Sequence, residues 1–178
     1  MESVTSLTLD VAKCTNCRAC ELACSFAKEG VYAPALTRIR VVAVFSQGIN
    51  VPIFCVHCAD PACMQVCPLD AIQRDDVSGI VRIDKDLCTA CSECVEACPI
   101  GALQIPEGHE VASMCDLCAG APACVDHCMY GALRFDSKPD EVFQRFDSPL
   151  EGETLEETRW RVATTIADTL RTTMEVER

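Results

Sequence analysis

The sequence predicts a small α+β protein built from two nested units of cysteine-rich loops, followed by a helical tail. Three observations support this prediction. Sixteen cysteines occur among the 178 residues, and they fall into four groups of four. Three of these groups are followed directly by a short apolar segment, which is typical of the start of a strand. Near the C-terminus, apolar residues recur every four positions, as they do on one face of a helix.

The four cysteine groups have closely related spacings. Groups one and three follow the pattern C-x2-C-x2-C-x3-C, whereas groups two and four have four or five residues before the third cysteine. Group one is Cys14, Cys17, Cys20 and Cys24; group two is Cys55, Cys58, Cys63 and Cys67; group three is Cys88, Cys91, Cys94 and Cys98; group four is Cys115, Cys118, Cys124 and Cys128. The apolar segments 68–72, 99–103 and 129–133 follow groups two, three and four, which indicates an internal repeat.

This spacing is typical of cubane iron–sulfur clusters. Two-residue gaps wrap the backbone around one cluster, and the fourth cysteine ligates the other cluster of a pair, as in bacterial two-cluster ferredoxins. We expect that fourth cysteine to lie in a helical turn. Groups two and three are then predicted to form one two-cluster unit, and groups one and four a second unit around it. The sequence thus predicts four [4Fe-4S] clusters.

Other uses of cysteine fit the pattern less well. Zinc sites combine two C-x2-C pairs, whereas here each pair is followed by a third and a fourth cysteine. Haem attachment requires histidine directly after the second cysteine, and that position holds Arg18, Ala59, Ser92 and Ala119. Disulfide scaffolds belong to exported proteins, and residues 1–13 lack the basic and apolar segments of an export signal.

The composition indicates a cytoplasmic protein that does not bind nucleic acid. The formal charge is −12 and only 5% of the residues are aromatic, whereas nucleic-acid binders need a basic surface. No segment reaches the roughly 18 apolar residues required for a membrane span. A protein exported already folded with a signal-bearing partner would have the same features, so that alternative stays open.

The predicted domain organisation follows the cysteine groups. The inner unit spans residues 52–104, and its two halves are linked by a short strand at 80–83. The outer unit combines residues 1–51 with 105–136, and segments 4–9 and 132–135 are expected to supply its strands. Within it, residues 25–51 form an insertion, with a strand at 39–45 and a turn at 47–50, which we expect to cover an outer cluster. Residues 137–178 are predicted to be a linker and an amphipathic helix.

The tail has a clear helix signature. Thr154 and Glu157 match a capping box. The predicted apolar face consists of Val162, Ile166, Leu170 and Met174, with Trp160, Ala163 and Ala167 beside it. The helix could pack on its own core or dock on a partner subunit, and one apolar face cannot distinguish the two.

Some polar residues lie next to the cysteines. His57 and His127 are interpreted as hydrogen-bonding or exposed residues, because sixteen cysteines already supply every ligand for four clusters. Lys13 and Arg18 flank group one, where they could raise a cluster potential; ordinary solvated side chains are the alternative.

Three cysteine-rich stretches also resemble a known family. They are CTNCRACELACSFAKEGVYAPALTRIRV (14–41), CVHCADPACMQVCPLDAI (55–72) and CDLCAGAPACVDHCMYGAL (115–133). The first resembles ferredoxin-like subunits of tungsten aldehyde oxidoreductases and carbon monoxide dehydrogenase. The others resemble the wider family, which includes the iron–sulfur subunits of dimethyl sulfoxide reductase and formate dehydrogenase, and polyferredoxins. The resemblance covers about residues 5–135, and it departs at Met129, where many relatives have proline.

The resemblance implies how the cysteines are shared among clusters. Three cysteines of one group and one of its partner group would ligate each cluster. The implied sets are Cys14, Cys17, Cys20 and Cys128; Cys24, Cys115, Cys118 and Cys124; Cys55, Cys58, Cys63 and Cys98; and Cys67, Cys88, Cys91 and Cys94.

The predicted function is electron transfer without catalysis. The sequence has no nucleotide-binding glycine loop and no candidate nucleophile–base pair. All-cysteine ligation and a negative charge favour low potentials, and hence an anaerobic reductive pathway. The expected partner is a tungsten or molybdenum catalytic subunit of the aldehyde oxidoreductase or aromatic acyl-CoA reductase type, with a flavin-containing subunit as a further candidate. A free polyferredoxin, a hydrogenase maturation protein and a self-associating chain remain alternatives.

Overall fold

The computed structural model describes residues 6–136, 146 and 149–176, with side chains described as far as residue 172. Its strands are β1 (Ser6–Leu9), β2 (Ile39–Val44), β3 (Ile49–Phe54), β4 (Ile72–Arg74), β5 (Val81–Ile83) and β6 (Leu133–Asp136). Its helices are α1 (Ala19–Glu29), α2 (Ala62–Gln65), α3 (Glu93–Glu96), α4 (Ala123–Asp126) and α5 (Leu155–Val176). Short 3-10 turns lie at Val11–Lys13, Pro34–Leu36 and Leu117–Gly120. This mixture of small helices and small sheets confirms the predicted α+β class.

The strands form antiparallel pairs. β1 pairs with β6, β2 with β3, and β4 with β5. The β1–β6 pair joins the two ends of the cysteine-rich region, with Leu7 opposite Phe135. The strands predicted at 80–83 and 132–135 are confirmed with bounds that differ by one residue, since β5 begins at Val81 and β6 runs from Leu133 to Asp136. Of the predicted strand at 4–9, Ser6–Leu9 is observed, while Val4 and Thr5 lie outside the described residues.

The predicted insertion contains the end of α1 and most of a β-hairpin, rather than a single strand. β2 ends at Val44 instead of residue 45, and the turn occupies residues 45–48 rather than 47–50. β3 was not predicted; it contains Pro52, which lacks a backbone N–H. Pro52 lies opposite Val41. Proline is tolerated there because both strands of a two-stranded sheet are edge strands.

The helical turns beside the cysteines differ from the prediction in one respect. α2, α3 and α4 contain the third cysteine of their groups, and only Cys24, in α1, is a fourth cysteine inside a helix. Cys67, Cys98 and Cys128 come two residues after their helices. Each donates its N–H to the carbonyl three residues earlier, at 3.4, 3.3 and 3.0 Å. This tighter turn ends the helix and directs the fourth thiol away from the preceding three.

The tail helix α5 packs on its own chain. Val162, Ala163, Ile166 and Ala167 are buried, and α5 contacts both β2 and β3. Trp160 does not belong to this face, since it is 48% exposed. The side chain of Met174 lies outside the described part of the chain, and so does most of the predicted linker at 137–149, namely residues 137–145, 147 and 148.

The predicted capping box is present at the start of α5. The Thr154 N–H donates to Glu157 Oε2 at 2.8 Å, and the Glu157 N–H donates to Thr154 Oγ1 at 3.3 Å. These reciprocal bonds satisfy two backbone donors at the helix N-terminus. Among the described helices, none combines the length and the apolar character that crossing a bilayer requires.

Candidate iron–sulfur centres

The cysteine side chains gather around four hollows, and none of them forms a disulfide. Hollow I is lined by Cys14, Cys17, Cys20 and Cys128, and hollow II by Cys24, Cys115, Cys118 and Cys124. Hollow III is lined by Cys55, Cys58, Cys63 and Cys98, and hollow IV by Cys67, Cys88, Cys91 and Cys94. These sets coincide with those that the resemblance implies. Their geometry therefore suits crossed ligation, in which each cluster is bound by three cysteines of one group and one cysteine of another.

The hollows are similar in size and in surroundings. Hollows I to IV enclose about 340, 320, 340 and 380 Å³, including the space open to solvent. Apolar residues complete much of their walls; examples are Val41 and Pro52 in hollow I and Ile100 and Leu103 in hollow III. Four thiols around a hollow of this kind suit a group of several atoms with soft metal sites. In the described part of the chain, no three His, Cys, Asp or Glu side chains are arranged to hold a single metal ion.

The backbone wraps around every hollow in the same way. Asn16, His57, Ala90 and Leu117 each lie two residues after the first cysteine of a group, and their φ values are 59°, 51°, 54° and 56°. Non-glycine residues rarely adopt this left-handed conformation. Its recurrence at equivalent positions shows that the four groups share one local geometry. The sequence did not reveal it, because none of the four residues is glycine.

Each hollow also has a backbone N–H that donates to a cysteine sulfur. The donor and acceptor pairs are Leu133 and Cys128 in hollow I (3.4 Å), Arg38 and Cys24 in hollow II (3.3 Å), Ala102 and Cys98 in hollow III (3.3 Å), and Ala112 and Cys88 in hollow IV (3.4 Å). Such bonds stabilise the negative charge of a thiolate. They also raise the potential of a cluster bound to that sulfur.

Burial governs the protonation of the thiols. It raises the pKa of Cys20, Cys63 and Cys115 to about 12, and that of Cys94 to about 11. These thiols are therefore neutral near pH 7 when no metal is bound. A metal centre that binds four thiolates must displace the protons of the thiols and compensate the negative charge of the thiolates. Iron does both in a cluster.

Part of the cysteine-rich region matches a known protein family. The family described as 4Fe-4S dicluster domain matches residues 47–138, just over half of the chain. The chain belongs to the 4Fe-4S dicluster domain family. It is therefore an iron–sulfur protein, as predicted. The match contains groups two, three and four, while group one precedes it.

Three proteins similar to this chain are subunits of oxidoreductases. The aliphatic sulfonate oxidoreductase polyferredoxin-like subunit of Pyrococcus furiosus is 44% identical over 58% of this chain and 60% of its own length. The formate dehydrogenase iron–sulfur subunit of Wolinella succinogenes is 39% identical, over 55% and 50%. The B subunit of the anaerobic dimethyl sulfoxide reductase of Escherichia coli is 36% identical, over 61% and 58%. The matches thus span 50 to 60% of the length of these relatives.

Among solved structures, the chain is similar to one in the active site complex BamBC of benzoyl coenzyme A reductase with benzoyl-CoA. The identity is 26% and the TM-score is 0.45, with 74% of this chain and 78% of that chain covered.

The two histidines beside the cysteines have structural roles in this dicluster-family protein. The Nδ1 atom of His57 accepts a hydrogen bond from the Val81 N–H at 3.1 Å. Burial lowers the pKa of His57 to about 4, so the ring is neutral near pH 7. His127 is exposed, and its Nδ1 lies 2.9 Å from the Ala123 carbonyl oxygen. The prediction of hydrogen bonding or exposure is confirmed for both residues.

The two cations that flank group one line hollow I. Lys13 forms an ion pair with Asp10 at 2.7 Å, and Arg18 lies 3.6 Å from the Glu21 carboxylate. Both cations are about half exposed, at 49% and 47%, so solvent screens much of their effect on the hollow. A role for them in raising a cluster potential stays a prediction.

A charged cluster beside hollow II was missed by the sequence analysis. Asp116 accepts from Lys28 at 2.6 Å and from Arg38 at 3.3 Å. Burial alone would raise the Asp116 pKa, but hydrogen bonds from Lys28 and the Cys118 N–H outweigh it and lower that pKa. These bonds join α1 to the group-four loop. No sequence pattern predicts these ion pairs, since Asp116 is 78 or more residues away from Lys28 and Arg38.

A second missed feature is Arg74, which follows group two. Its guanidinium donates to the backbone carbonyl oxygens of His57, Cys58 and Ala59. Arg74 therefore fixes the loop that carries Cys58 into hollow III.

Proposed function

We propose that this chain is a non-catalytic electron-transfer subunit, in which hollows I to IV each hold one [4Fe-4S] cluster. The observation that carries the proposal is the division of sixteen cysteines into four sets of four around four similar hollows. When bound, such clusters supply one-electron oxidation and reduction. The chain itself provides the thiolate ligands, hydrogen bonds to sulfur and an apolar enclosure.

Four clusters account for the cysteines better than two. Two cubanes require eight thiolates, whereas the segment matched by the dicluster family already contains twelve cysteines. Group one adds four more, and three of its members line hollow I. In this proposal residues 52–104 form the inner two-cluster unit, and residues 1–51 with 105–136 form the outer unit.

The hollows follow one another in a defined order. Hollows I and II are connected within group one, since Cys20 and Cys24 lie on the same helix. Hollows III and IV are connected through Cys94 and Cys98, which are four residues apart. Hollows II and III are adjacent, since Met114 lines hollow III and its chain neighbour Cys115 lines hollow II. This proximity supports the order I, II, III, IV.

The two ends of that order reach the surface. Cys17 in hollow I and Cys91 in hollow IV are the exposed cysteines, whereas those of hollows II and III are buried or partly buried. We therefore assign the entry and exit of electrons to hollows I and IV. Clusters in the middle hollows would exchange electrons mainly with their neighbours.

The proposed partner is the catalytic subunit of an oxidoreductase, of the tungsten or molybdenum type. The names of the relatives support a subunit role, and the resemblance of the first cysteine stretch supports the metal type. An aldehyde oxidoreductase or an aromatic acyl-CoA reductase subunit is the proposed class, and a flavin-containing subunit could exchange electrons at the other end. A free, diffusible polyferredoxin is the competing arrangement.

Anaerobic purification of the native protein tests the proposal. We expect about sixteen iron and sixteen sulfide per chain, interacting cubane signals in the EPR spectrum of the reduced protein, and a co-purifying tungsten or molybdenum subunit. About eight iron would reduce the count to two clusters. Zinc without iron would overturn the function. Isolation of the fully loaded chain alone from cell extract would favour the free polyferredoxin.

A further inference from the structure

Arg159 is a buried cation on the tail helix, beyond the segment that the family matches. Its relative exposure is 3%, and it lies on α5, which begins after residue 138, where the family match ends. A buried charge is costly unless it is paired or hydrogen-bonded. The bonds of Arg159 lead directly to hollow III.

One peptide group connects Arg159 to a cysteine sulfur. The Arg159 Nε–H donates to the carbonyl oxygen of Gly101 at 2.8 Å. That carbonyl shares its peptide group with the N–H of Ala102, which donates to Cys98 Sγ at 3.3 Å. The guanidinium and the thiol are therefore joined by two hydrogen bonds through a single peptide unit.

The surroundings hold the guanidinium in this position. Its Nη2 atom donates to Gln104 Oε1 at 3.3 Å, and the Gln104 side chain donates to the Thr37 carbonyl oxygen at 2.7 Å. Its Nη1 atom pairs with Glu156 at 2.9 Å, and the Glu156 side chain is 76% exposed. Arg159 is thus anchored on the protein side, and its counter-ion faces solvent.

Gly101 makes the close approach possible. A Cβ atom at this position would lie 2.9 Å from Arg159 Cγ, and the backbone φ is +66°. The equivalent glycine after group four, Gly131, has nothing within 4 Å of the corresponding point. The contact with a cation is therefore specific to the group-three loop rather than a property of the repeat.

We propose that Arg159 is a positioning residue that raises the reduction potential of the cluster in hollow III by polarising the Gly101–Ala102 peptide group. The inference rests on the proposed function. A cation at the carbonyl makes the N–H at the other end a stronger donor, because linked hydrogen bonds strengthen one another. Stronger N–H bonds to sulfur, and positive charge nearby, favour the more negative reduced state. The tail helix thereby raises the reduction potential of one of the two clusters in the middle of the series I to IV.

The test compares two substitutions on the same helix in the complete, anaerobically purified protein. R159Q removes the buried cation, whereas R171Q removes an exposed one about 18 Å further along the helix axis. Redox titrations followed by EPR report each cluster separately. In R159Q we expect one cluster to become about tenfold harder to reduce at equilibrium, which is a shift of about 59 mV to lower potential. The other clusters, and all clusters of R171Q, should keep their potentials.

Two results of this titration would overturn the inference. One is unchanged potentials in an R159Q protein with the wild-type iron content. The other is an equal shift of all clusters, which would indicate a general effect of net charge. If R159Q does not retain its iron, the same redox titration of E156Q tests the inference, because this solvent-facing substitution removes the counter-ion of Arg159. It should shift the same cluster to higher potential, and no shift would overturn the inference. The iron content of the wild-type protein tests the proposed function separately.

Discussion

The carboxylate of Glu21 accepts a hydrogen bond from the backbone N–H of Val41 at 2.7 Å. Glu21 is 0% exposed and follows Cys20 directly on α1, while Val41 lies on β2 and lines hollow I. This bond connects the helix that carries Cys20 and Cys24 to the hairpin that forms part of the hollow wall. This buried side chain therefore helps to fix the relative position of the two elements, together with Arg18, which donates to the Val41 carbonyl oxygen at 3.4 Å.

We expect Glu21→Ala to destabilise the protein and to loosen hollow I. The substitution leaves the buried Val41 N–H without its acceptor, which costs about 1–3 kcal/mol. Anaerobic denaturant unfolding and iron analysis measure the two effects. Glu29→Ala is the matched control, because Glu29 is exposed on the same helix and its 3.5 Å ion pair with Arg38 contributes less than about 1 kcal/mol. Equal losses in both variants would contradict the role of the Glu21 bond.

If ligation is crossed, two serine variants should perturb the same EPR signal when both cysteines line the same hollow, even if they belong to different cysteine groups. Cys98→Ser should perturb the same EPR signal as Cys63→Ser, since both residues line hollow III. Cys94→Ser should instead match Cys67→Ser, since both line hollow IV. If Cys98→Ser and Cys94→Ser, which alter the same group, perturbed one common signal, ligation would not be crossed.

Removal of iron should abolish cooperative unfolding. Without metal, sixteen thiols would remain around four hollows, and the core would lose the groups that fill them. Binding free energy at such sites is largely folding free energy. Chelation under reducing conditions, followed by calorimetry and near-ultraviolet circular dichroism, measures the effect. A chelated protein that keeps the unfolding midpoint of the loaded protein would show that the fold does not depend on clusters.

The capping box predicts a local effect in the tail. Thr154→Ala should destabilise α5 by about 1 kcal/mol, seen as faster amide hydrogen exchange in its first turns. Thr165→Ala is the control, because the Thr165 hydroxyl bonds only within the helix, to the Arg161 carbonyl oxygen at 2.8 Å. Equal acceleration of exchange in both variants would show that the cap has no special role.

The same cap should depend on pH. Hydrogen bonds from Thr154 lower the pKa of Glu157 below its usual value of 4.5. A carboxyl whose folded pKa is depressed stabilises the fold above the unfolded pKa, and this contribution disappears as the pH falls through the folded value. The exchange rate at the start of α5 should therefore rise in acid relative to the rest of the helix. Glu157→Gln should remove that additional rise.

Features that depend on near neighbours in the chain were predictable from the residue types. The cysteine spacings, the strands at 80–83 and 132–135, the capping box at Thr154 and the apolar face of α5 are all local patterns, and the residue types alone predicted them. The iron–sulfur chemistry followed from the same patterns, because thiolates at short, repeated intervals suit clusters. Pro52 shows the limit of this reasoning, since it lies within a strand although proline is rare in strands.

The contacts between distant residues became visible only in the folded chain. Cys128 joins Cys14 in hollow I, Arg159 reaches Gly101, and α5 packs on the hairpin of its own chain. Left-handed backbone at Asn16, His57, Ala90 and Leu117 also has no sequence signal, because the surrounding loop imposes it. Contacts across a hundred residues arise when apolar surfaces are buried together, and a linear pattern does not record which surfaces will face each other.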